Sequence, residues 1–205
     1  MSNTMIIGVT GASASGKSLL SHTIVEELGS DQVAIISEDS YYKGFENIPL
    51  EERIKINYDH PDSLEHTLLC EHLRNLLNGD SVEVPIYDYA KYERKKETRT
   101  VGSHKIIVLE GILLFVVPEL RELMDVRIFM DTSLDICLTR RIQRDVVERG
   151  RTIDSVLHDY QTTVRPMYMQ FIEPCKRHAD IIVPRGGMNR IAIEMIKAKM
   201  RESLS

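Results

Sequence analysis

Cysteine occurs only three times in this 205-residue chain, at Cys70, Cys137 and Cys175. The set is odd in number and widely spaced, with no C-x-x-C pair, so neither a disulfide framework nor a thiolate metal site organises the fold. Each thiol is expected to be a small core residue in a reducing, cytoplasmic setting. Positive charge is not in excess either. The formal net charge of −5 argues against a general nucleic-acid face and against a polybasic membrane anchor. No apolar run approaches the ~20 residues of a membrane-spanning helix, and the opening residues do not follow the order of a secretory leader, so none is expected. Internal repeats and low-complexity tracts are missing too. What remains is an ordinary globular composition, 42% hydrophobic and 28% charged. The length suits one domain, 1–205, with a small insertion.

Against that background one stretch stands out. Residues 11–18, Gly11-Ala12-Ser13-Ala14-Ser15-Gly16-Lys17-Ser18, fill the pattern G-x-x-x-x-G-K-[ST]. They follow the apolar run Met5-Ile6-Ile7-Gly8-Val9 and precede Leu19-Leu20 and a helical spacing. Strand, loop and helix in that order are the context that gives the motif meaning. The glycines let backbone N–H groups turn inward around a phosphate, and the helix presents its positive end to the same anion. Lys17 can bridge the outer phosphates, while the Ser18 hydroxyl can ligate Mg²⁺. A Gly/Ser turn of no function is the bland alternative.

Beyond the loop, apolar strands alternate with helical patterns. Strands are expected at 33–36, 106–109, 126–130 and 181–183, with helices at 19–28, 64–77, 113–123, 133–149, 153–171 and 189–201. Pro49 opens a short helix at 50–53, Asp62 and Glu65 read as a capping box, and Pro166 is expected to kink the helix that holds it. Short strands at 82–84 and 98–101 flank the charged segment 91–97, so 81–102 is expected to form an inserted β-hairpin. Such alternation predicts an α/β fold: a parallel sheet flanked by helices, with ligands beyond the carboxyl ends of its strands.

Three further features converge on phosphoryl transfer. Asp39 follows the second core strand and should face the loop's terminal phosphate, where a carboxylate can take a proton from an attacking hydroxyl. A loop Asp capping its own turn is the alternative. Glu110 ends the apolar strand 106–109, where a carboxylate can orient Mg²⁺; a merely solvated strand-end acid is the alternative. Residues 140–151 carry five arginines, and 140–152 could close over a nucleotide as a lid with Gly150 as hinge, neutralising charge and excluding water. The alternative there is a solvated charged helix balanced by Asp145 and Glu148. His60 is expected to anchor the turn before Pro61, and His104 to sit in a solvated turn.

The loop 11–18, together with Glu38-Asp39-Ser40-Tyr41-Tyr42, Asn57-Tyr58-Asp59-His60-Pro61, Pro85-Ile86-Tyr87, Leu109-Glu110-Gly111, 141–151 and Pro184-Arg185-Gly186, resembles the uridine-cytidine kinases, and bacterial uridine kinases in particular. The resemblance runs from about residue 5 to 200. It implies a P-loop kinase that moves the γ-phosphoryl of ATP or GTP, with Mg²⁺, to the 5′-hydroxyl of a pyrimidine ribonucleoside. Asp39 then matches the base, with Lys17, Arg144 and Arg149 assisting. The donor lies on Gly11, Ala12, Ser13, Ala14, Ser15, Gly16, Lys17, Ser18 and Leu19 under Arg144 and Arg149, and Ser18 and Glu110 match the metal site. Asp59 and Arg141 match the ribose grip, Tyr58, Tyr87 and Tyr89 the walls of the base pocket, and Arg151 belongs to the same substrate set. The resemblance also implies a homo-oligomer, usually a tetramer. The partners are a nucleoside and an NTP, with no nucleic acid and no membrane.

Two positions depart from the family, which ordinarily has His at Tyr92 and Gln at Asp159. A tyrosine hydroxyl can donate or accept, but it stands further out on a bulkier ring. An ionised Asp159 only accepts; aimed at the base edge it suits the cytosine amino group and repels the uracil 4-oxygen. An unpaired buried acceptor costs ~1–3 kcal/mol, so cytidine is expected to be favoured over uridine. Asp159 bound to a ribose hydroxyl, or paired with Lys91 or an arginine, would leave the base untouched. A remodelled pocket for another nucleoside, a nucleotide-binding regulator without phosphotransfer, and a sister phosphotransferase are the competing readings. The retained Asp39, Glu110 and arginines weigh against the regulator, and the tyrosine set weighs against the sister enzymes.

Overall fold

A computed structural model describes residues 4–45, 47–102 and 104–204. Its centre is a five-stranded parallel sheet in the order β2-β5-β1-β6-β7. The strands are β1 (Met5–Gly11), β2 (Val33–Ser37), β5 (Ile106–Glu110), β6 (Val126–Asp131) and β7 (Ile181–Pro184). They read as nearly unbroken apolar runs because both faces are covered. Alternate residues supply opposite faces. Ile6, Ile36, Ile107, Leu109 and Phe129 join one buried cluster with α3 (His66–Asn78) and the hairpin. Ile7, Val9, Val108, Ile128 and Met130 join the other, with α1 (Lys17–Leu28) and α8 (Arg190–Leu204). The short helices α2 (Leu50–Arg53) and α4 (Pro118–Glu122) connect elements at the periphery. All three cysteines are free and buried. Among the described residues no helix is long and apolar enough to cross a membrane.

The hairpin pairs β3 (Val82–Asp88) with β4 (Glu93–Val101), Val82 opposite Val101 and Tyr87 opposite Arg94. The charged segment 91–97, expected to lie between two short strands, is mostly part of β4. Its charges fit because one side of the ribbon faces water, while Val82, Val84 and Val101 are buried against the sheet's helical layer. The tip turns on Asp88, whose Oδ1 accepts from the N–H groups of Ala90 (3.0 Å) and Lys91 (3.2 Å).

Several local expectations change. The Asp62–Glu65 capping box does not form. Pro61–Ser63 is a 3-10 turn instead, α3 begins at His66, and no side chain caps it. His60 holds that turn, its Nδ1 accepting from Asp62 N–H at 3.1 Å. Only Pro118–Glu122 of the expected helix 113–123 is helical, because Leu113, Leu114 and Phe115 are drawn wholly into the core as a buried connection. The expected helix 153–171 divides into α6 (Ile153–Asp159), two wide turns at Tyr160–Val164 and Tyr168–Ile172, and the single turn α7 (Arg165–Met167) between them. The chain therefore accommodates Pro166 by widening on both sides of it rather than by one sharp kink. His104 is half-buried rather than fully solvated.

Candidate active site

The loop after β1 opens a cleft of about 480 Å³ at the carboxyl edge of the sheet. Ser13, Ala14, Gly16, Lys17, Ser18 and Leu19 line it, and opposite them stand Asp39, Glu110 and Arg144. Gly16 is required where it stands. Its φ is 101°, and a Cβ would come within 2.8 Å of the Gly187 nitrogen, because the segment after β7 folds against the loop. Thr132 fastens the loop from beneath, its hydroxyl donating to the Ser15 carbonyl at 2.8 Å. Ser15 is wholly buried, while Gly11 and Ala12 carry the chain from β1 into the turn.

Lys17 heads α1 and donates from Nζ to the carbonyls of Ala12 (2.9 Å) and Gly11 (3.2 Å). Burial lowers its pKa from the ordinary lysine value, and the carboxylates of Glu110 and Asp39 push back against that fall. Ser18 Oγ donates to Glu110 Oε1 at 3.3 Å, while Glu110 Oε2 is buried with no hydrogen-bond partner. A hydroxyl beside a carboxylate that has a spare buried oxygen is a donor set that fits Mg²⁺. Among the described residues no cluster of three or more His, Cys, Asp or Glu offers a dedicated metal cage.

Asp39 sits in the 3-10 turn Glu38–Tyr41 that leaves β2. Its Oδ2 accepts from the Tyr89 hydroxyl at 3.0 Å. Desolvation of that hydroxyl and the charge of Asp39 hold the Tyr89 phenol well above the ordinary tyrosine value. Glu38, beside it, is fully buried; Oε2 accepts from Leu113 N–H at 2.9 Å, and Oε1 meets His66 Nε2 at 2.8 Å. A side chain at Gly111 would collide with this carboxylate. Glu38 therefore ties the Asp39 turn to the chain leaving Glu110, a linkage that sequence reading missed.

The tyrosines expected around a base do gather. Tyr58 lies 5.5 Å from Tyr92 and 6.4 Å from Tyr87, and Tyr87 lies 5.4 Å from Tyr89, measured between ring centroids. Tyr42 was missed: it stands 5.1 Å from both Tyr58 and Tyr87. Its signal was its place three residues after Asp39. Tyr92 sits at the hairpin tip with φ 52°, a left-handed conformation unusual for a bulky side chain. Asp59 is pushed above the ordinary carboxylate range by burial; Arg141 opposes that rise, while Asp39 and Asp159 add to it. Asp59 and Arg141 both line a small cavity beside Ser13 and Tyr160.

The arginines spread along one wall. Arg141 donates to Ser13 Oγ at 3.1 Å, and Arg149 lies over the Tyr89 ring at 5.2 Å. Arg151 pairs with Asp159 at 2.5 Å. Of the arrangements open to Asp159, this is the arginine pair. Asp145, which the alternative of a solvated charged helix would leave in water, is wholly buried.

The family model for the phosphoribulokinase / uridine kinase family matches residues 6–192. The chain is 57% identical over 205 residues to a uridine kinase of Shewanella amazonensis, covering 98% of this chain and 97% of that one. It is 58% identical over 204 residues to a uridine kinase of Vibrio atlanticus, covering 98% and 96%. Among solved structures, the phosphoribulokinase of Rhodobacter spheroides superposes with a TM-score of 0.68 at 19% identity, covering 90% of this chain and 71% of that one. That last likeness concerns the fold alone: a parallel sheet flanked by helices.

Proposed function

Because the chain belongs to the phosphoribulokinase / uridine kinase family, we propose that it is a nucleoside kinase. It transfers the γ-phosphoryl of ATP, or GTP, to the 5′-hydroxyl of a pyrimidine ribonucleoside, cytidine ahead of uridine. The observation that carries this reading is a single cleft holding both halves of the chemistry: the phosphate grip of Lys17 and the loop, and the carboxylate of Asp39 across from it.

Asp39 accepts the proton of the 5′-hydroxyl while Tyr89 occupies its other oxygen. Lys17 leaves its loop carbonyls for the donor's outer phosphates, and the loop N–H groups cradle the same charge. Ser18 and Glu110 would hold Mg²⁺, which supplies charge neutralisation across the phosphates when bound. Arg144 and Arg149 oppose the charge of the transferring group, and closure of 140–152 excludes water that would otherwise hydrolyse the donor. Asp59, backed by Arg141, accepts from the ribose hydroxyls, which favours ribose over deoxyribose because a site built for those bonds rejects a ligand that lacks them.

Base selectivity falls on Tyr92 and on Asp159. With Asp159 drawn to Arg151, the Tyr92 hydroxyl is the group expected to meet the exocyclic position of the base. The cytidine preference requires Asp159 to leave Arg151 when the nucleoside binds and to accept from the cytosine amino group, since the Tyr92 hydroxyl alone can donate or accept and serves either base. The reading carries with it a cytoplasmic homotetramer, as the resemblance implies.

Initial rates with Mg-ATP across cytidine, uridine and 2′-deoxycytidine test it. Turnover of cytidine above uridine, with 2′-deoxycytidine poor, is the expected result. Equal rates on cytidine and uridine would remove the base preference, and no nucleoside-dependent ADP formation would remove the whole reading.

A further inference from the structure

Asp145 lies within α5 (Leu134–Val147), and four guanidiniums converge on its buried carboxylate. Oδ1 accepts from Arg144 Nε at 2.9 Å and lies 3.6 Å from Arg149 Nη1. Oδ2 lies 3.5 Å from Arg141 Nε and 3.9 Å from Arg151 Nη1. The backbone joins in, with Arg151 N–H donating to the Asp145 carbonyl at 3.0 Å. Each arginine also reaches a different wall: Arg141 the phosphate loop, Arg144 the cleft, Arg149 the Tyr89 ring and Arg151 Asp159.

Four like charges this close repel one another, and arginine side chains lose much rotamer freedom when they bind. A shared buried carboxylate answers both problems. It offsets the repulsion, and its hydrogen bond to Arg144 and ion pairs to the other three hold the guanidiniums where charge develops on the transferring group. Electrostatic stabilisation of a transferring group depends on such preorganisation.

We propose that Asp145 is a positioning residue, the one carboxylate that sets the geometry of Arg141, Arg144, Arg149 and Arg151 together. Through it the acceptor-side pair, Arg141 and Arg151, and the donor-side pair, Arg144 and Arg149, keep a common register. The proposal rests on the kinase reading above and assigns Asp145 no contact with either substrate.

The test is a double-mutant cycle of Asp145→Asn and Arg149→Ala, with kcat, the Kd of Mg-ATP and thermal melting measured for each protein. Asp145→Asn should lower kcat on the order of 100-fold, the loss typical of a misplacement of about 1 Å. The Kd of Mg-ATP should change by less than about threefold, since the lost interaction belongs to the transition state. The double variant should be little slower than the slower single one, because Asp145 acts through the arginines. A merely structural role would lower the melting temperature without producing that non-additivity. If Asp145→Asn does not melt cooperatively, Asp145→Glu, which keeps the charge one methylene away, takes its place in the cycle with the same expectation. Wild-type kcat in the single variant, or losses that multiply in the double, overturn the proposal. Wild-type protein inactive on every nucleoside would instead overturn the functional reading, and this inference with it.

Discussion

The phosphate end of the cleft and its nucleoside wall are built in different ways. Lys17, Ser18, Asp39 and Glu110 all lie at or just beyond the carboxyl ends of β1, β2 and β5, three adjacent strands in register. Their spacing is inherited from a parallel sheet that is buried on both faces. The nucleoside wall has no such frame. Tyr58 comes from a loop, Tyr87, Tyr89 and Tyr92 from a hairpin outside the main sheet, and the arginines from α5 and the chain beyond it. On the proposed reading, chemistry sits on the part framed by the sheet and selectivity on separate segments that pack side chain to side chain. Substitutions at the first end should change turnover, and those at the second should change which substrate is taken.

The largest effect is expected from Asp39→Asn. Turnover should fall about a thousandfold, within the range for loss of a general base, with nucleoside and Mg-ATP binding nearly kept. Rapid kinetics beside equilibrium binding would show this, and an unchanged kcat would take Asp39 out of its role.

Asp59→Asn comes next, raising the nucleoside KM about 100-fold as the ribose hydroxyls lose a charged acceptor. Burial raises the Asp59 pKa, so in the wild type the nucleoside KM should climb as pH falls through a value above the ordinary carboxylate range. The variant should show a flat profile there. The linkage runs the other way for stability: a carboxylate whose folded-state pKa is raised weakens the fold as pH rises and it ionises. Asp59→Asn should therefore melt higher than wild type at neutral pH. Melting curves across pH check that sign.

A smaller change is expected at the hairpin tip. Tyr92→His should shift the uridine-to-cytidine ratio of kcat/KM about tenfold toward uridine, on the scale of one hydrogen bond, with kcat on cytidine largely retained. A ratio that does not move would relocate base reading to another side chain.

The smallest effect should come from the partly exposed pair Arg127–Asp180, at 2.8 Å beside the edge strand β7. Asp180→Asn should cost less than about 1 kcal/mol of stability and leave kinetics alone. The Arg127 guanidinium lowers the Asp180 pKa, so the pair's contribution is present above the unfolded carboxylate value and lost as pH falls through the lowered one. Denaturant unfolding at two pH values would measure it.

The same division decides what could be read without a structure. The stretch Gly11–Ser18 announces itself because the residues that wrap a phosphate are consecutive, and Asp39 and Glu110 follow because each stands shortly after an apolar run. Asp145 gave no such notice. Between Arg144 and Val147 it looks like one more charge on a helix, and only the fold reveals four guanidiniums around it. Glu38 was equally silent, since its partners, His66 and the Leu113 amide, lie far along the chain. The failed capping box at Asp62 shows the limit of local rules: Pro61 starts a separate turn there, and the helix waits until His66.

By itself the sequence determined the order of strands and helices, the parallel sheet they imply and the phosphate grip at its edge. These depend on periodicity and on neighbouring residues, which a linear reading contains. The tertiary structure alone decided that Asp159 turns to Arg151, that Tyr42 completes the aromatic wall and that Asp145 is buried among arginines. Each of those is a choice among partners distant in the chain. Which partner wins is settled by distance and burial once the layers have packed.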